Sequence, residues 1–226
     1  MDSGLLNIDG VKMSQSSNNF MTIEDGLEKY GKELITWVVL RHQYQSSIDL
    51  NDQLFRDNLN ILRDFYLKIS PSVMRATIEQ PDTSDPKVKE LLNEFKAEMD
   101  NDFNTPGALI VLVRYLEEAM TLRIQKKKAA NKRLEEAIVY LGRLLGLFQS
   151  QDLADLINAM LTFQQKTLRT PEAITVEDID LFIKDREEAR ANKEFAKADH
   201  VCNLLKLHGI AIIDGAHKDR WKFTAN

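Results

Sequence analysis

A chain of 226 residues with 43% hydrophobic and 29% charged side chains is long enough for one large or two small domains and has an ordinary soluble, globular composition. Thirty-five acidic against thirty basic residues leave a net charge of −5, which argues against a general polyanion binder without excluding a specific RNA surface on part of the chain. One cysteine (Cys202) forbids an internal disulfide, and four scattered histidines (His42, His200, His208, His217) predict no metal site; with no membrane-length apolar run and no signal-peptide start, the expected setting is cytoplasmic.

Residues 1–20, rich in Asp, Ser, Asn and Gly, predict loop or short strand. Thr22, followed by Glu24 and Asp25, has the chemistry of a helix N-cap. Gly31 divides that short helix from a second, in which Leu34, Ile35, Val38 and Val39 recur at helical spacing. Asn51 or Asp52 caps a third, with Leu54, Phe55, Leu59, Leu62, Phe65 and Ile69 on one stripe. Pro71, Pro81 and Pro86 punctuate the next loop, after which Val88, Leu91, Leu92 and Phe95 repeat the pattern. The sharpest start signal is DFNTPGAL at 102–109: Asn104 or Thr105 caps, and Pro106 sits in the first turn, where its missing N–H costs nothing. Residues 131–148 predict a further helix, with Gly146 tolerated near its end, and 152–165 another.

A linker with Pro171 is expected over 167–175. Thr175 and Asp178 then form an approximate capping box for one helix, and Gly209 stops a second. IAIID and RWKF, separated by GAHKD, read as a hairpin. The expected fold is mainly α: a helical bundle followed by a small α/β C-terminal domain of two helices plus hairpin.

Four stretches carry a family likeness: GLLNIDGVKMSQS with NF and TIED after it, YGKELITWVVLRHQYQSSIDL, EMDNDFNTPGAL, and DREEARANKEFAKADHVCNLLKLHGIAIIDG with a later Trp. In this order they resemble the C-terminal part of class I cysteinyl-tRNA synthetases, from just before the Lys-Met-Ser-Lys-Ser loop onward. The resemblance implies a catalytic-domain remnant over 1–22, an anticodon-binding helical bundle over 23–166 and a small anticodon-recognition domain over 167–226. Family members use ATP and a zinc ion held by a nucleotide-binding domain with a His-Ile-Gly-His signature, of which this sequence has no counterpart. The chain therefore reads as a C-terminal half begun at an internal methionine, with no cofactor of its own and unable alone to activate cysteine or charge tRNA.

Lys12, Met13, Ser14, Gln15 and Ser16 match the family's ATP-phosphate loop. Gln15 replaces the second lysine, and an amide there supplies no full charge to the developing adenylate. Residual ATP contact is weighed against a vestigial surface loop. Arg190, Asp199, Asp214 and Trp221 match positions where the family's terminal domain meets the anticodon; a guanidinium fork, two carboxylates and an indole suit exposed bases. The plainer reading is that Arg190 and Asp199 join two helices and Trp221 closes a small core. Cys202 stands where family members usually have arginine, and a buried thiol is its plainer reading.

Lys126, Lys127, Lys128, Lys132 and Arg133 are the densest basic run, either a tRNA-backbone contact or a solvated turn. Glu98, Asp100 and Asp102 precede a helix start and are explained by capping; His42 and Tyr44 need only helix-end packing. No nucleophile–base arrangement and no Gly-rich phosphate loop stands out. The expected partners are cysteine tRNA and a separate catalytic half, with no membrane and no DNA. The alternatives are a paralogue repurposed as a protein-interaction module, or a synthetase fragment without a separate role. A split enzyme predicts an exposed apolar patch near Leu5, Leu6 and Ile8.

Overall fold

Asp9 and Gly10 both take positive φ, 49° and 78°, the conformation a two-residue hairpin turn requires. That turn joins β1 (Leu6–Ile8) to β2 (Val11–Lys12), and β1 also pairs in parallel with β3 (Ile48–Leu50), giving a small sheet ordered β2-β1-β3. The sheet thus draws on residues from both sides of position 22. The computed structural model describes residues 4–14, 16, 19–149, 158, 161, 174–213 and 221–223.

Between β2 and β3 lie α1 (Ile23–Tyr30) and α2 (Lys32–Leu40). Thr22 and Asp25 form a full capping box: Asp25 N–H donates to Thr22 Oγ1 at 3.0 Å, and Thr22 N–H to Asp25 Oδ2 at 3.2 Å. Helix α2 buries Leu34, Trp37 and Val38, but Val39 is 48% exposed; helical spacing locates a stripe and leaves its edges ambiguous. The long α3 (Asp52–Leu67) starts at Asn51, whose Oδ1 accepts from Leu54 N–H at 2.8 Å. Phe55, Leu59, Leu62, Phe65 and Tyr66 form its buried face.

After the single turn α4 (Pro71–Met74), three helices pack together: α5 (Pro86–Asp100), α6 (Thr105–Ile124) and α7 (Lys128–Leu144). Asp85 caps α5, its Oδ1 accepting from Lys87 N–H at 3.0 Å. Asn104 caps α6 through Gly107 N–H at 3.2 Å, and its amide donates to Glu98 Oε2 at 2.6 Å.

Helix α7 begins at Lys128 rather than 131, because the chain turns back already at Lys126, whose φ is 59°. Gly146 lies past the helix end, not within it. With φ at 84° it forms a Schellman stop, in which Leu147 N–H reaches Gly142 O at 2.9 Å and Gly146 N–H reaches Arg143 O at 3.0 Å.

That stop brings Phe148 into the centre of the core. Its ring lies 4.5 Å from Tyr66 and 5.4 Å from Phe65, and Phe65 lies 5.1 Å from Trp37. Two buried carboxylates fasten this region. Glu33 accepts from the Tyr66 hydroxyl and from Gln149 N–H (2.9 Å); Glu135 accepts from Arg123 and from Ser70 N–H (3.1 Å). Burial, then the Glu33 charge, holds the Tyr66 hydroxyl well above its ordinary pKa, so it stays a donor.

The terminal unit comprises α8 (Val176–Ala191), α9 (Phe195–Leu207), β4 (Ile210–Ile212) and β5 (Trp221–Phe223), the last two antiparallel. The Thr175–Asp178 pair is a true capping box, and Gly209 (φ 69°) follows α9 as expected. This unit meets α3 through β5. Asn60 donates to Phe223 O at 2.8 Å and accepts from Phe223 N–H at 2.9 Å, while the Arg63 guanidinium lies 4.2 Å from the Trp221 ring centre. The helix expected over 152–165, the linker over 167–175 and the boundary at 166/167 lie outside the described residues, apart from Asn158, Leu161, Ile174 and Thr175. Among the described residues no helix is long and apolar enough to cross a membrane.

Candidate nucleic-acid interface

The two groups of predicted site residues lie at different parts of the fold. Lys12 ends β2 and is exposed. The loop after it is closed by a bridge, with Ser14 N–H to Asn19 O at 2.9 Å and Asn19 N–H to Ser14 O at 3.2 Å. The hydroxyls of Ser14 and Ser16 stand 2.7 Å apart, Met13 N–H bonds Leu6 O at 2.9 Å, and Gln15 lies outside the described residues.

Beside this loop opens a cleft of about 410 Å³, lined by Asp9, Phe20, Asp25, Lys29, Tyr30 and Asp52 among others. Its floor is an ionic cluster. Asp52 Oδ1 lies 2.7 Å from Lys29 Nζ and accepts from the Tyr30 hydroxyl at 2.7 Å; the Tyr30 ring stacks on Phe55 with centres 3.6 Å apart. Burial, and then the hydrogen bond to Asp52, push the Tyr30 pKa up to about 12. Burial works against the Asp52 carboxylate, but bonds from Lys29 and Tyr30 outweigh it and hold its pKa below the ordinary value. Asp52 and Lys29 are thereby satisfied by each other. Among the described residues, no three His, Cys, Asp or Glu side chains come together to hold a metal, so these residues do not fit the family's zinc.

In the terminal unit, Arg190 lies in the last turn of α8 and Asp199 on α9, both exposed. Asp199, Cys202, Asn203 and Lys206 recur three to four residues apart and so share one face of α9. With Arg186, Ala211 and Ile212 they line an open cleft of about 530 Å³. Cys202 is half-buried in its wall rather than sealed in the core. Asp214 lies outside the described residues.

Trp221 takes the plainer of its two readings, core packing. It is 4% exposed, with Arg63 over its face and the Phe223 ring edge-on at 5.4 Å. Phe195 is the aromatic that remains available. It is 62% exposed at the start of α9, one turn before Asp199. The sequence carried a signal for it: an aromatic directly after the turn that follows Arg190, in helical phase with Asp199.

The remaining motifs resolve as structure. Asp102 does not cap a helix. It takes φ 53° and ties the α5–α6 turn to the loop after α2, accepting from the Tyr44 hydroxyl at 2.8 Å and Gln45 Nε2 at 3.2 Å. Asp100 pairs with Lys96, and Glu98 buttresses the Asn104 cap. His42 Nδ1 bonds Val38 O at 2.8 Å, closing the end of α2.

Comparison with known proteins places this geometry. The family model for the class I (C) tRNA synthetase catalytic domain matches residues 1–60, and that for the DALR domain, an anticodon-binding helical domain, matches residues 94–149. The chain is 35% identical over 230 residues to a cysteine–tRNA ligase of Syntrophotalea carbinolica, covering 98% of this chain and 47% of that protein. It is 35% identical over 222 residues to the one from Glaesserella parasuis and 34% over 223 to that of Mannheimia succiniciproducens, covering 98% of this chain and 44% of each. The chain thus spans less than half the length of these curated relatives. On these matches the chain belongs to the class I cysteine–tRNA ligase family, and it is equivalent to the C-terminal half of its members.

Proposed function

We propose that this chain binds the anticodon arm of cysteine tRNA through the terminal unit, and that it does not aminoacylate by itself. The observation that carries the reading is the exposed row Phe195, Asp199, Asn203 and Lys206 on one face of α9, the last three of which line a cleft of about 530 Å³ together with Arg186. Arg190 offers a guanidinium fork to base acceptors, and Asp199 and Asp214 accept from exocyclic amino groups. Phe195 takes the stacking role that buried Trp221 cannot. A pocket with both charge signs and an exposed ring suits unstacked bases better than a duplex, whose edges lie within grooves.

We further assign the apolar side chains Leu5, Leu6 and Val11 of the small sheet, with Phe20, Ile23 and Leu27 beside them, as the seat of a nucleotide-binding catalytic domain; all six are exposed. Lys12 then meets ATP only in company with that domain, and Gln15 leaves the loop without the second cation. Three parts follow: residues 1–22 face the catalytic domain, 23–166 form the bundle, and 167–226 read the anticodon. The cytoplasm, where charged tRNA is used, is the proposed location.

The test is binding of the purified chain to a cysteine tRNA transcript across a salt series, beside a transcript with its anticodon bases exchanged. Binding that the exchange weakens about tenfold, the effect of one or two lost base contacts, supports the reading. Asp199→Ala then removes most of that discrimination. Binding indifferent to the anticodon overturns it and leaves a protein-interaction module, for which the exposed apolar face is the ground.

A further inference from the structure

Between Glu118 and Glu135 the chain carries six cations (Arg123, Lys126, Lys127, Lys128, Lys132, Arg133) and no acid, although the whole molecule has a net charge of −5. The fold divides these six into two groups. Arg123 is held by Glu135, Lys132 Nζ lies 3.5 Å from Glu136, and Arg133 Nε lies 3.0 Å from Asp85. Lys126, Lys127 and Lys128 are all exposed and make no ion pair among the described residues.

These three lysines sit on a built turn. Lys126 N–H bonds Arg123 O at 3.0 Å, Lys127 N–H bonds Leu122 O at 2.9 Å, and Lys128 N–H bonds Lys126 O at 3.0 Å. The turn leads directly into α7, whose N-terminus has no side-chain cap and no acidic residue in its first turn. The positive end of that helix adds to the lysine charge instead of being cancelled.

We propose that the α6–α7 turn is a phosphate-contact surface for RNA, gripping the backbone of the bound tRNA at a place distinct from the anticodon cleft. The proposal rests on the tRNA-binding reading above. Three adjacent unpaired cations on a fixed turn match a ligand with closely spaced anionic groups, and on a negatively charged molecule such a spot also orients the incoming polyanion. Contacts of this kind hold register and carry no sequence information. A lipid surface fits less well: the apolar side chain exposed beside the lysines is Ile124, at 80%, and one residue gives little area to insert.

The experiment measures tRNA affinity of the full chain against salt for the wild type, for K126Q/K127Q/K128Q and for K126R/K127R/K128R. Loss of three phosphate contacts lowers the slope of log affinity against log salt by about 2.7, so the wild-type advantage shrinks about 40-fold between about 50 and 200 mM salt. The arginine variant keeps the wild-type slope, and the glutamine variant keeps the wild-type ratio between cognate and exchanged anticodons. Parallel salt lines for wild type and glutamine variant, with wild-type binding intact, overturn the proposal alone. Unchanged tRNA binding with lost binding to phosphatidylserine vesicles overturns it in favour of a membrane. A wild type that binds no tRNA at any salt overturns both this assignment and the anticodon reading, and is recognised because the unmodified chain itself fails.

Discussion

The bundle and the terminal unit use their polar side chains in opposite ways. In the bundle, Glu33, Glu135, Glu94 and Asp85 face inward or across helices, bonded respectively to Tyr66, Arg123, Arg114 and Arg133. In the terminal unit, Asp199, Asn203 and Lys206 are solvent-exposed along one side of a cleft. The bundle buries several large aromatics, Trp37, Phe55, Tyr66, Tyr115 and Phe148, while the terminal unit closes over Trp221 and Phe223 and leans on α3 through Asn60 and Arg63. The lesson is a division of labour. One region's charges fasten a scaffold, while in the other Asp199, Asn203 and Lys206 face an open cleft.

Mutation at the centre of the scaffold sharpens that contrast most. Phe148→Ala empties a fully buried aromatic site and is expected to cost about 3–5 kcal/mol, read as a lowered urea midpoint. Its neighbour Gly142 tests the same packing from the other side. A Cβ there would stand 2.5 Å from the Phe148 ring, which Phe65 and Tyr66 hold in place. Gly142→Ala gains about 1 kcal/mol of helix propensity but loses about 1–3 to overpacking, a net destabilisation. In the Phe148→Ala background the clash is gone and the same change becomes neutral or stabilising. Additive effects would break the packing account.

Asn60→Leu probes the junction between the regions. It removes two hydrogen bonds to Phe223 and leaves that backbone unsatisfied, an expected loss of about 1–3 kcal/mol. Hydrogen exchange should show the loss in amides of α8, α9 and β4 while α5–α7 keep their protection. A uniform loss across the chain would mean that the two regions unfold as one.

The pH dependence is a smaller effect and belongs to the scaffold side. Tyr30 has its pKa raised from 10.0 to about 12, so its contribution is fully present below pH 10 and is lost as pH rises through about 12. Tyr30→Phe therefore flattens the alkaline fall in stability, and a residual slope remains from the other groups held above their ordinary values, Tyr66 and Tyr115 among them. Asp52, with a lowered pKa, contributes above its unfolded value near 3.8 and loses that contribution as pH falls through its folded value. Urea midpoints from about pH 9 to 11.5, for wild type and variant, check the tyrosine effect; coincident curves would refute it. The smallest change is Thr175→Ala, which opens one capping box and should cost about 1 kcal/mol, confined to α8.

Local signals in the sequence foretold most helix ends. Thr22, Asn104, Pro106, Thr175 and Gly209 stand where capping chemistry put them, because each acts on backbone within three residues. Features set by distant partners were not legible. Trp221 reads equally as a stacking platform or as core until Arg63 is found over its face. Asp102 looks like a helix-start acid until the loop carrying Tyr44 and Gln45 folds onto it. Likewise Lys126–Lys128 differ from Arg133 in lacking a carboxylate such as Asp85, which the start of α5 brings close, whereas Lys132 pairs with Glu136 one turn on along its own helix. The family likeness supplied Arg190 and Asp199; that Phe195 is exposed and Trp221 buried is encoded by no motif.

The Asn60 amide has one more consequence. It meets both hydrogen-bonding groups of Phe223, and a two-stranded ribbon otherwise ends in a bare outer edge ready to template a strand from another molecule. A single side chain here imitates the missing third strand and blocks that edge. Asn60 therefore closes the outer side of β5 at Phe223, where a further strand would otherwise pair.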